Sequence, residues 1–161
     1  MYEAALAAAF RLLARRSRSV AELSARLRDK GYSESVSTSV IDRLKELNYL
    51  DDAAVARQWA RSYAVNNLWG DRKIAYRLRE MGIGSELVDD AIAEIRQEFP
   101  QRKAVIGIIR KRFPGRLTGR SISAKDEQRL VRHLLSKGFS PPLIFEVLAE
   151  PAEEDDSAEG Q

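Results

Sequence analysis

The chain of 161 residues contains no cysteine and only one histidine. The absence of cysteine excludes a disulfide framework, zinc held by thiolates and a thiol nucleophile, and it is typical of proteins of the reducing cytosol. No run approaches the roughly 18 apolar residues that a membrane span requires. The apolar opening, MYEAALAAAF, carries an acid where a secretory signal has bases. We therefore expect a cytoplasmic protein with no membrane partner.

Groups suited to catalysis or to cofactor binding are also scarce. His133 stands next to Leu134 amid basic residues, which favours a groove-side or surface position over the role of a general base. The stretch FPGRLTGRS lacks the lysine and the strand–loop–helix context of a phosphate-binding loop. The adjacent Asp51 and Asp52 have no third acid and no histidine at ligand spacing. The sequence thus predicts no enzymatic activity, no metal site and no cofactor.

The net charge of +3 conceals an uneven distribution of charge along the chain. The last twelve residues, EPAEEDDSAEGQ, hold six acids and no base, whereas residues 1–149 hold 27 bases and 18 acids. Twenty of those bases are arginines, which bind phosphate and carboxylate groups through two parallel hydrogen bonds. The body of the chain therefore favours a polyanionic partner, although charge alone is equally consistent with a solvated helical surface. We expect residues 150–161 to be disordered and to compete with that partner.

One pattern occurs three times, as RLRDKGYSES, RLREMGIGSE and HLLSKGFSPP. Aligned on Gly31, Gly82 and Gly138, the copies share apolar residues four and eight positions before the glycine and five and nine positions after it. This spacing predicts one helix on each side of the glycine, which would end the first helix in the left-handed conformation. Ser33, Ser85 and Ser140 are the predicted N-caps of the second helices.

A third amphipathic helix is predicted before each pair, and no β pattern of useful length occurs. Units of about fifty residues bury too little surface alone, so neighbouring units should pack end to end. We therefore predict an all-α protein, an elongated tandem array of three three-helix repeats. Their predicted ranges are residues 1–50, 51–98 and 99–149. The residues predicted to face inward on the three leading helices are Leu6, Phe10 and Leu13; Val55, Trp59 and Tyr63; and Val105, Ile109 and Phe113.

The junction between the first two repeats carries strong helix-start signals. Asp51 is the predicted N-cap, and Leu50 and Val55 have the spacing of a hydrophobic staple. Asp52 then stands at the first helical position, where a carboxylate favours the positive end of the helix dipole. Adjacent aspartates at a helix start point apart, so a structural role is favoured over an acid–base pair. Trp59 lies at helical spacing from Val55 and Tyr63, so it is predicted to be a core residue.

Basic residues recur in every repeat, so the array could present a basic stripe to a long acidic partner. That partner would be nucleic acid or a protein filament wrapped around it. The spacing of Arg11, Arg15 and Arg18 predicts that they share one face of the first helix. The predicted partner-binding residues are Arg15, Arg16, Arg18, Arg26 and Lys30 in the first repeat and Arg57, Arg61, Arg72, Lys73 and Arg77 in the second.

The chain resembles the RecX family of regulatory proteins, the modulators of the RecA recombinase. The resemblance covers nearly everything before the acidic tail. It rests on ALAAAFRLLARRSRSVAELSARLRDKGY, on IDRLKELNYLDDAAVARQWARSY, on GDRKIAYRLREMGI, which begins at Gly70, and on RLVRHLLSKGFSPPLIFEVL. It implies tandem three-helix repeats lying in the groove of a RecA–DNA filament, in homologous recombination, DNA repair and the SOS response. It also implies inhibition of RecA's ATP hydrolysis, strand exchange and co-protease activity by a protein that is not an enzyme.

The resemblance also singles out residues. Arg61, Arg72 and Lys73 match basic positions of the family, and they are the residues expected to meet the RecA nucleoprotein filament, with possible direct contact to DNA. The stretch NNLWGD departs from the family, which has a basic, glycine-rich turn there. We expect the protein to be a monomer.

Two alternatives remain at this point. A DNA-binding regulator of the helix-turn-helix type would explain the repeated three-helix pattern. The helices after the glycines fit it poorly, since SELVDDAIAEIRQ is acidic and SPPLIFEVLAE is apolar, whereas a recognition helix presents polar and basic side chains to the major groove. A repeat scaffold for an unrelated acidic protein is opposed only by the family resemblance.

Overall fold

The computed structural model describes residues 1–150, and within that range it contains helices and no strand. The predicted all-α class is confirmed. Apart from Glu150, the predicted acidic tail lies outside the described residues. The helices are α1 Tyr2–Arg15, α2 Val20–Asp29, α3 Glu34–Glu46, α4 Asp52–Arg61, a π-helical turn Ser62–Asn66, α5 Asp71–Glu80, α6 Ser85–Glu98, α7 Gln101–Arg112, the short α8 Pro114–Leu117, α9 Ala124–Ser136 and α10 Pro141–Ala149.

The chain folds into two compact units. The first unit comprises Met1–Ala60 and Ala75–Glu94, and the second comprises Arg61–Ile74 and the chain from Ile95 onward. Each unit has a core of aliphatic side chains contributed by several helices. In the first unit, a cluster packs α1, α2 and α3 together: Ala5, Ala8, Ala9, Leu23, Leu27, Val40, Ile41, Leu44 and Leu50. In the second, a cluster joins α7, α9 and α10: Ala104, Val105, Ile108, Ile109, Leu130, Leu134, Phe139, Ile144, Val147 and Leu148.

The three repeated glycines end their helices as the sequence predicts. Gly31, Gly82 and Gly138 have φ values of 90°, 78° and 94°, a conformation in which any side chain would be strained. Each glycine amide donates to the carbonyl three residues earlier at 2.8–3.0 Å, and the next amide donates to the carbonyl five residues earlier at 3.2–3.3 Å. This double hydrogen bond is the Schellman motif. The repeat in the sequence is therefore a repeat of one helix-terminating turn.

A fourth turn of the same kind was not anticipated. It ends α3, where Asn48 takes the left-handed conformation with φ 60°. The amides of Asn48 and Tyr49 donate to the third and fifth preceding carbonyls at 3.0 and 2.8 Å, as in the glycine turns. Asparagine is the residue other than glycine that tolerates this position best. The signal was thus present in the sequence, in the stretch KELNYL.

Of the predicted N-caps, Ser33 is confirmed and Ser85 is wrong. The hydroxyl of Ser33 accepts the amide of Val36 at 3.3 Å. Ser85 is already the first residue of α6, and the carbonyl that begins the helix belongs to Gly84. The reason is register: Ser33 and Ser140 lie two residues after their glycines, whereas Ser85 lies three residues after. Ser140 precedes α10 without a side-chain capping bond.

The two aspartates of the repeat junction cap two different helices. Asp51 Oδ1 accepts the amide of Ala54 at 3.1 Å and so caps α4, as its spacing predicts. Asp52 Oδ1 accepts the amide of Val20 at 2.8 Å, at the start of α2. An amide in the first turn of a helix has no acceptor within that helix, so each aspartate supplies a hydrogen-bond acceptor to an amide that would otherwise lack one. The adjacent carboxylates are thereby separated and tied to the backbone.

Two predictions of inward faces need correction. The most deeply buried face of α1 consists of alanines, and Leu6, Phe10 and Leu13 pack at its border, because small residues allow the three helices a closer approach. Trp59 is half-buried rather than a core residue, and the guanidinium of Arg16 lies 5.9 Å from the centre of its ring.

Candidate polyanion-binding surface

The predicted basic residues at the end of α1 differ in what they can bind. α1 ends at Arg15, and Arg16 is extended with φ −167°, so Arg18 does not share a helical face with Arg15 as its spacing suggested. Arg18 is only 9% exposed, and its Nε donates to the carbonyl of Leu12 at 3.3 Å. Burial, followed by the charge of Arg16, lowers the pKa of Arg18 from its ordinary value. Arg18 is therefore placed to hold the α1–α2 connection.

A cleft of about 420 Å³ lies in the first unit, between α2 and the end of α5. Its charged lining is balanced, because three arginines face three acids, and Arg16 is already paired with Glu22 at 2.9 Å. A cleft with this lining offers no net positive potential to a polyanion. The charged residues that line it are Arg16, Arg18, Arg26, Glu22, Asp29 and Glu80.

The other predicted partner-binding residues are divided between the units, and all of them are exposed except Lys73, which is half-buried. Lys30, Arg57 and Arg77 belong to the first unit, and Arg77 pairs with Glu80 at 3.0 Å. Arg61 and Arg72 belong to the second unit, where Arg61 pairs with Glu98. Exposed pairs of this kind contribute little to stability and can be exchanged for pairs with a partner. Arg72 lies in the second unit near the beginning of α5, next to Lys73.

Lys73 is positioned by a stack of aromatic rings in the second unit. The π-helical turn carries Tyr63, whose ring lies against that of Trp69 with centroids 4.4 Å apart and planes 15° from parallel. The Lys73 ammonium lies 4.5 Å from the centre of the Trp69 ring, within the range of a cation–π contact. The sequence left the role of Trp69 open. The structure shows that this ring supports a cation and is covered by its neighbours.

The loop before α5 is fixed to the α9–α10 turn through glycine. The Gly70 amide donates to the carbonyl of Lys137 at 2.7 Å, and the Arg72 amide donates to that of Gly138 at 3.2 Å. A Cβ added to Gly70 would lie 2.4 Å from the Gly138 carbonyl, so only glycine permits this approach. Gly70 therefore allows α5 to begin directly against the end of α9.

Arg96 holds the same loop from the other side. Its guanidinium donates to Asp71 Oδ1 at 2.7 Å, to the carbonyl of Trp69 at 2.8 Å and to that of Phe99 at 3.1 Å. Its side chain is 13% exposed, so these bonds lie largely out of water, where hydrogen bonds to a charged group are stronger. Arg96 thus orients the first turn of α5, which carries Arg72 and Lys73.

Three cations of the second unit, Lys73, Arg112 and Lys137, act on the charge of His133, and Lys111 acts on that of Lys137. We call these five residues the His133 cluster: Lys73, Lys111, Arg112, His133 and Lys137. Burial lowers the pKa of His133 below its ordinary value, and the charges of Arg112, Lys137 and Lys73 lower it further. Burial likewise lowers the pKa of Lys137, with the charges of Lys73, Arg112 and Lys111 adding to the effect. No acid contributes to either shift, and no carboxylate within residues 1–150 pairs with the four cations of the cluster.

The His133 cluster was largely missed by sequence reasoning. Lys73 was among the predicted residues, but His133 was set aside and the other three were not selected. The available signal was local: His133 and Lys137 stand four residues apart at the end of α9, and Lys111 and Arg112 end α7. The sequence does not show that these two helix ends lie beside the start of α5.

Two further features bear on function. Among residues 1–150, no group of three acids or histidines is arranged to hold a metal ion. Within the same range, no helix is both long enough and apolar enough to cross a membrane.

The comparisons with known proteins all point to one family. The model of the first three-helix domain of RecX matches residues 5–44, and that of the second matches residues 51–92. The chain is 35% identical to the regulatory protein RecX of Mycolicibacterium vanbaalenii, over 94% of this chain and 85% of that one. It is also 35% identical to RecX of Mycobacterium leprae, over 86% and 80%. Its fold matches the crystal structure of RecX from Lactobacillus salivarius, with a TM-score of 0.78 at 22% identity, over 91% and 94%.

Proposed function

The chain belongs to the RecX family of regulatory proteins, and we propose that it binds the RecA–DNA filament and depresses RecA's ATP hydrolysis, strand exchange and co-protease activity. The observation that carries the proposal is the family match over most of the chain. The proposal also includes the finer features that the sequence suggests: binding in the filament groove, three repeats over residues 1–50, 51–98 and 99–149, a monomeric state and a cytoplasmic location.

The charge distribution supports a filament as partner. A RecA–DNA filament is a long, repetitive object that contains a polyanion, and it suits a protein with several basic surfaces. The first unit supplies Lys30 and Arg57 as exposed cations, and the second supplies Arg72 and the His133 cluster. Contacts of this kind on more than one unit would act together, because the second contact forms at a high effective concentration once the first is made.

The alternative, a sequence-specific DNA-binding regulator, is not favoured by the helices that follow the glycines. α6 exposes Asp89, Asp90 and Glu94, a surface that repels the phosphates beside a major groove. α10 has no basic residue and exposes Phe145. Neither helix has the character of a recognition helix. We therefore propose that any contact of this chain with DNA serves binding to the filament rather than the reading of base sequence.

Changing Arg61, Arg72 and Lys73 together to alanine is expected to weaken binding to RecA–DNA filaments by about tenfold or more, or about 1.4 kcal/mol. The three cations belong to the second unit, so the variant removes charge from that unit alone. Co-sedimentation of the protein with filaments on single-stranded DNA, at several salt concentrations, measures the effect. Binding of the wild-type protein should weaken as salt is raised, and that of the variant should depend less on salt.

The matched control changes Lys45, Lys103 and Lys125 to alanine. These lysines are exposed and lie outside the proposed surfaces, and the change in net charge is the same. The control should bind filaments within about twofold of the wild-type protein, since charges beyond a Debye length are largely screened. Equal loss of binding in both variants would mean that only net charge matters, and wild-type binding by the first variant would exclude this surface.

A further inference from the structure

We propose that the His133 cluster is a binding site for the phosphodiester backbone of nucleic acid. The inference rests on the proposed function in that it names the part of the chain that would meet the DNA of the filament. The site is assembled from three places in the second unit: the beginning of α5, the end of α7 and the end of α9. The charged groups that face His133 from these helices are Lys73, Arg112 and Lys137.

The arrangement of the cluster favours a bound anion. Its cations repel one another, and Lys137 and His133 are both partly withdrawn from water, which makes their charged forms less favourable. Side chains free to separate would do so, but Lys73 is held against the Trp69 ring and against the Gly138 turn. The fold therefore maintains a concentration of positive charge that the protein does not neutralise within its described part. An anion bound among these side chains would remove the repulsion.

A nucleic-acid backbone suits the site better than an acidic protein surface does. It offers closely spaced negative charges, which a protein surface usually mixes with bases. The Trp69 ring that supports Lys73 is already stacked on Tyr63, so its contacts are made with the protein rather than with a nucleobase. The site should therefore bind the backbone without preference among bases.

His133 gives the site a distinctive response to pH. In the free protein burial, and after it the surrounding cations, favour the neutral imidazole, whereas the charge of a bound phosphodiester would favour the protonated form. The complex then binds more protons than its free components do, so affinity must rise as pH falls through the range in which free His133 is neutral. Because the chain has a single histidine, and phosphodiesters do not titrate in this range, a dependence that disappears when His133 is replaced is assigned to this residue.

Fluorescence anisotropy of a labelled mixed-sequence oligonucleotide, titrated with the full chain in the absence of RecA, tests the proposal. Between about pH 7.5 and about pH 5.5 the wild-type affinity should rise roughly threefold to tenfold, the range given by a pKa change of up to one unit. His133→Gln should bind as the wild-type protein does at the higher pH and lose the rise. NMR titration of the histidine ring proton should show a higher pKa when the oligonucleotide is present.

The lysines are tested by changing Lys73 and Lys137 together to glutamine, which keeps their aliphatic chains. This variant should bind the oligonucleotide at least about tenfold more weakly at low salt, whereas a control with Lys45→Gln and Lys125→Gln should stay within about twofold. Equal affinity of the test and control variants would overturn the proposal, as would a wild-type affinity that does not change with pH.

A second ligand separates the two classes of polyanion. Serum albumin, an acidic protein whose surface mixes acids with bases, should displace the oligonucleotide only weakly; displacement at equal charge concentration would assign the site to acidic proteins and contradict the proposal. The outcome is independent of RecA. Loss of RecA inhibition with normal oligonucleotide binding would refute the proposed function alone, and RecA inhibition without oligonucleotide binding would refute this inference alone.

Discussion

Gly70→Ala is expected to destabilise the protein by about 2–4 kcal/mol, from forced displacement of packed backbone and the weakening of two hydrogen bonds. The added Cβ would lie 2.4 Å from the carbonyl of Gly138 and 2.5 Å from the amide of Phe139. Both are backbone atoms, so no side chain can rotate to make room. The loop must move away from the α9–α10 turn, which stretches the bonds from Gly70 to Lys137 and from Arg72 to Gly138.

Thermal unfolding followed by circular dichroism measures this loss. For a chain of this size, the melting temperature should fall by roughly 5–15 °C. The matched control is Gly107→Ala in α7, where the added Cβ would meet only a methyl group of Leu68, at an ordinary 3.6 Å. Glycine inside a helix is less favourable than alanine by about 1 kcal/mol, so this variant should be more stable than the wild-type protein. Replacing glycine by alanine is thus predicted to lower the stability of the protein at position 70 and to raise it at position 107. Equal effects on stability at the two positions would contradict the described packing.

Arg96→Met is expected to cost about 2–4 kcal/mol, because it leaves three acceptors without their donor in a poorly solvated place. The methionine occupies similar space, so the loss reports the hydrogen bonds rather than a cavity. Asp71, at 38% exposure, would lose its only ion pair among the described residues. The carbonyls of Trp69 and Phe99 would each lose the hydrogen bond that Arg96 donates. The first turn of α5 should loosen as a result.

Chemical denaturation by urea tests the prediction, with Arg43→Met as the control. Arg43 also pairs with an acid, Glu46, at 3.3 Å, but both side chains are more than half exposed. Removal of an exposed pair should change the free energy of unfolding by no more than about 0.5 kcal/mol. If the two variants were equally stable, Arg96 would have no special role in fixing the loop that carries Lys73.

Most of the fold could be predicted from the sequence because the information was local. A glycine four residues after a buried leucine, repeated three times, identifies three helix ends through a backbone conformation that few other residues adopt. Asp51 identified the start of α4 for a similar reason. The errors in the prediction also concern single residues at helix ends. Asn48 takes the left-handed conformation that was expected only of glycine, and Ser85 stands one residue too late to cap α6.

The candidate surface could be predicted only in part, because it depends on contacts between distant segments. Lys73 was selected from its resemblance to a family position, but its neighbours Arg112 and Lys137 lie 39 and 64 residues away along the chain. Arg18 was selected as a surface residue because its spacing continues α1, whereas the helix ends at Arg15 and the side chain is buried. Neither the end of α1 nor the meeting of α5, α7 and α9 is encoded in a periodic pattern.

The most direct measurement is DNA-dependent ATP hydrolysis by RecA from the same source, titrated with this protein. The account predicts inhibition that is substantial below one molecule per RecA protomer and is weakened by the combined change of Arg61, Arg72 and Lys73 to alanine. Hydrolysis that stays unchanged at every ratio, with the protein bound tightly to duplex DNA alone, would contradict it and would instead favour a DNA-binding regulator.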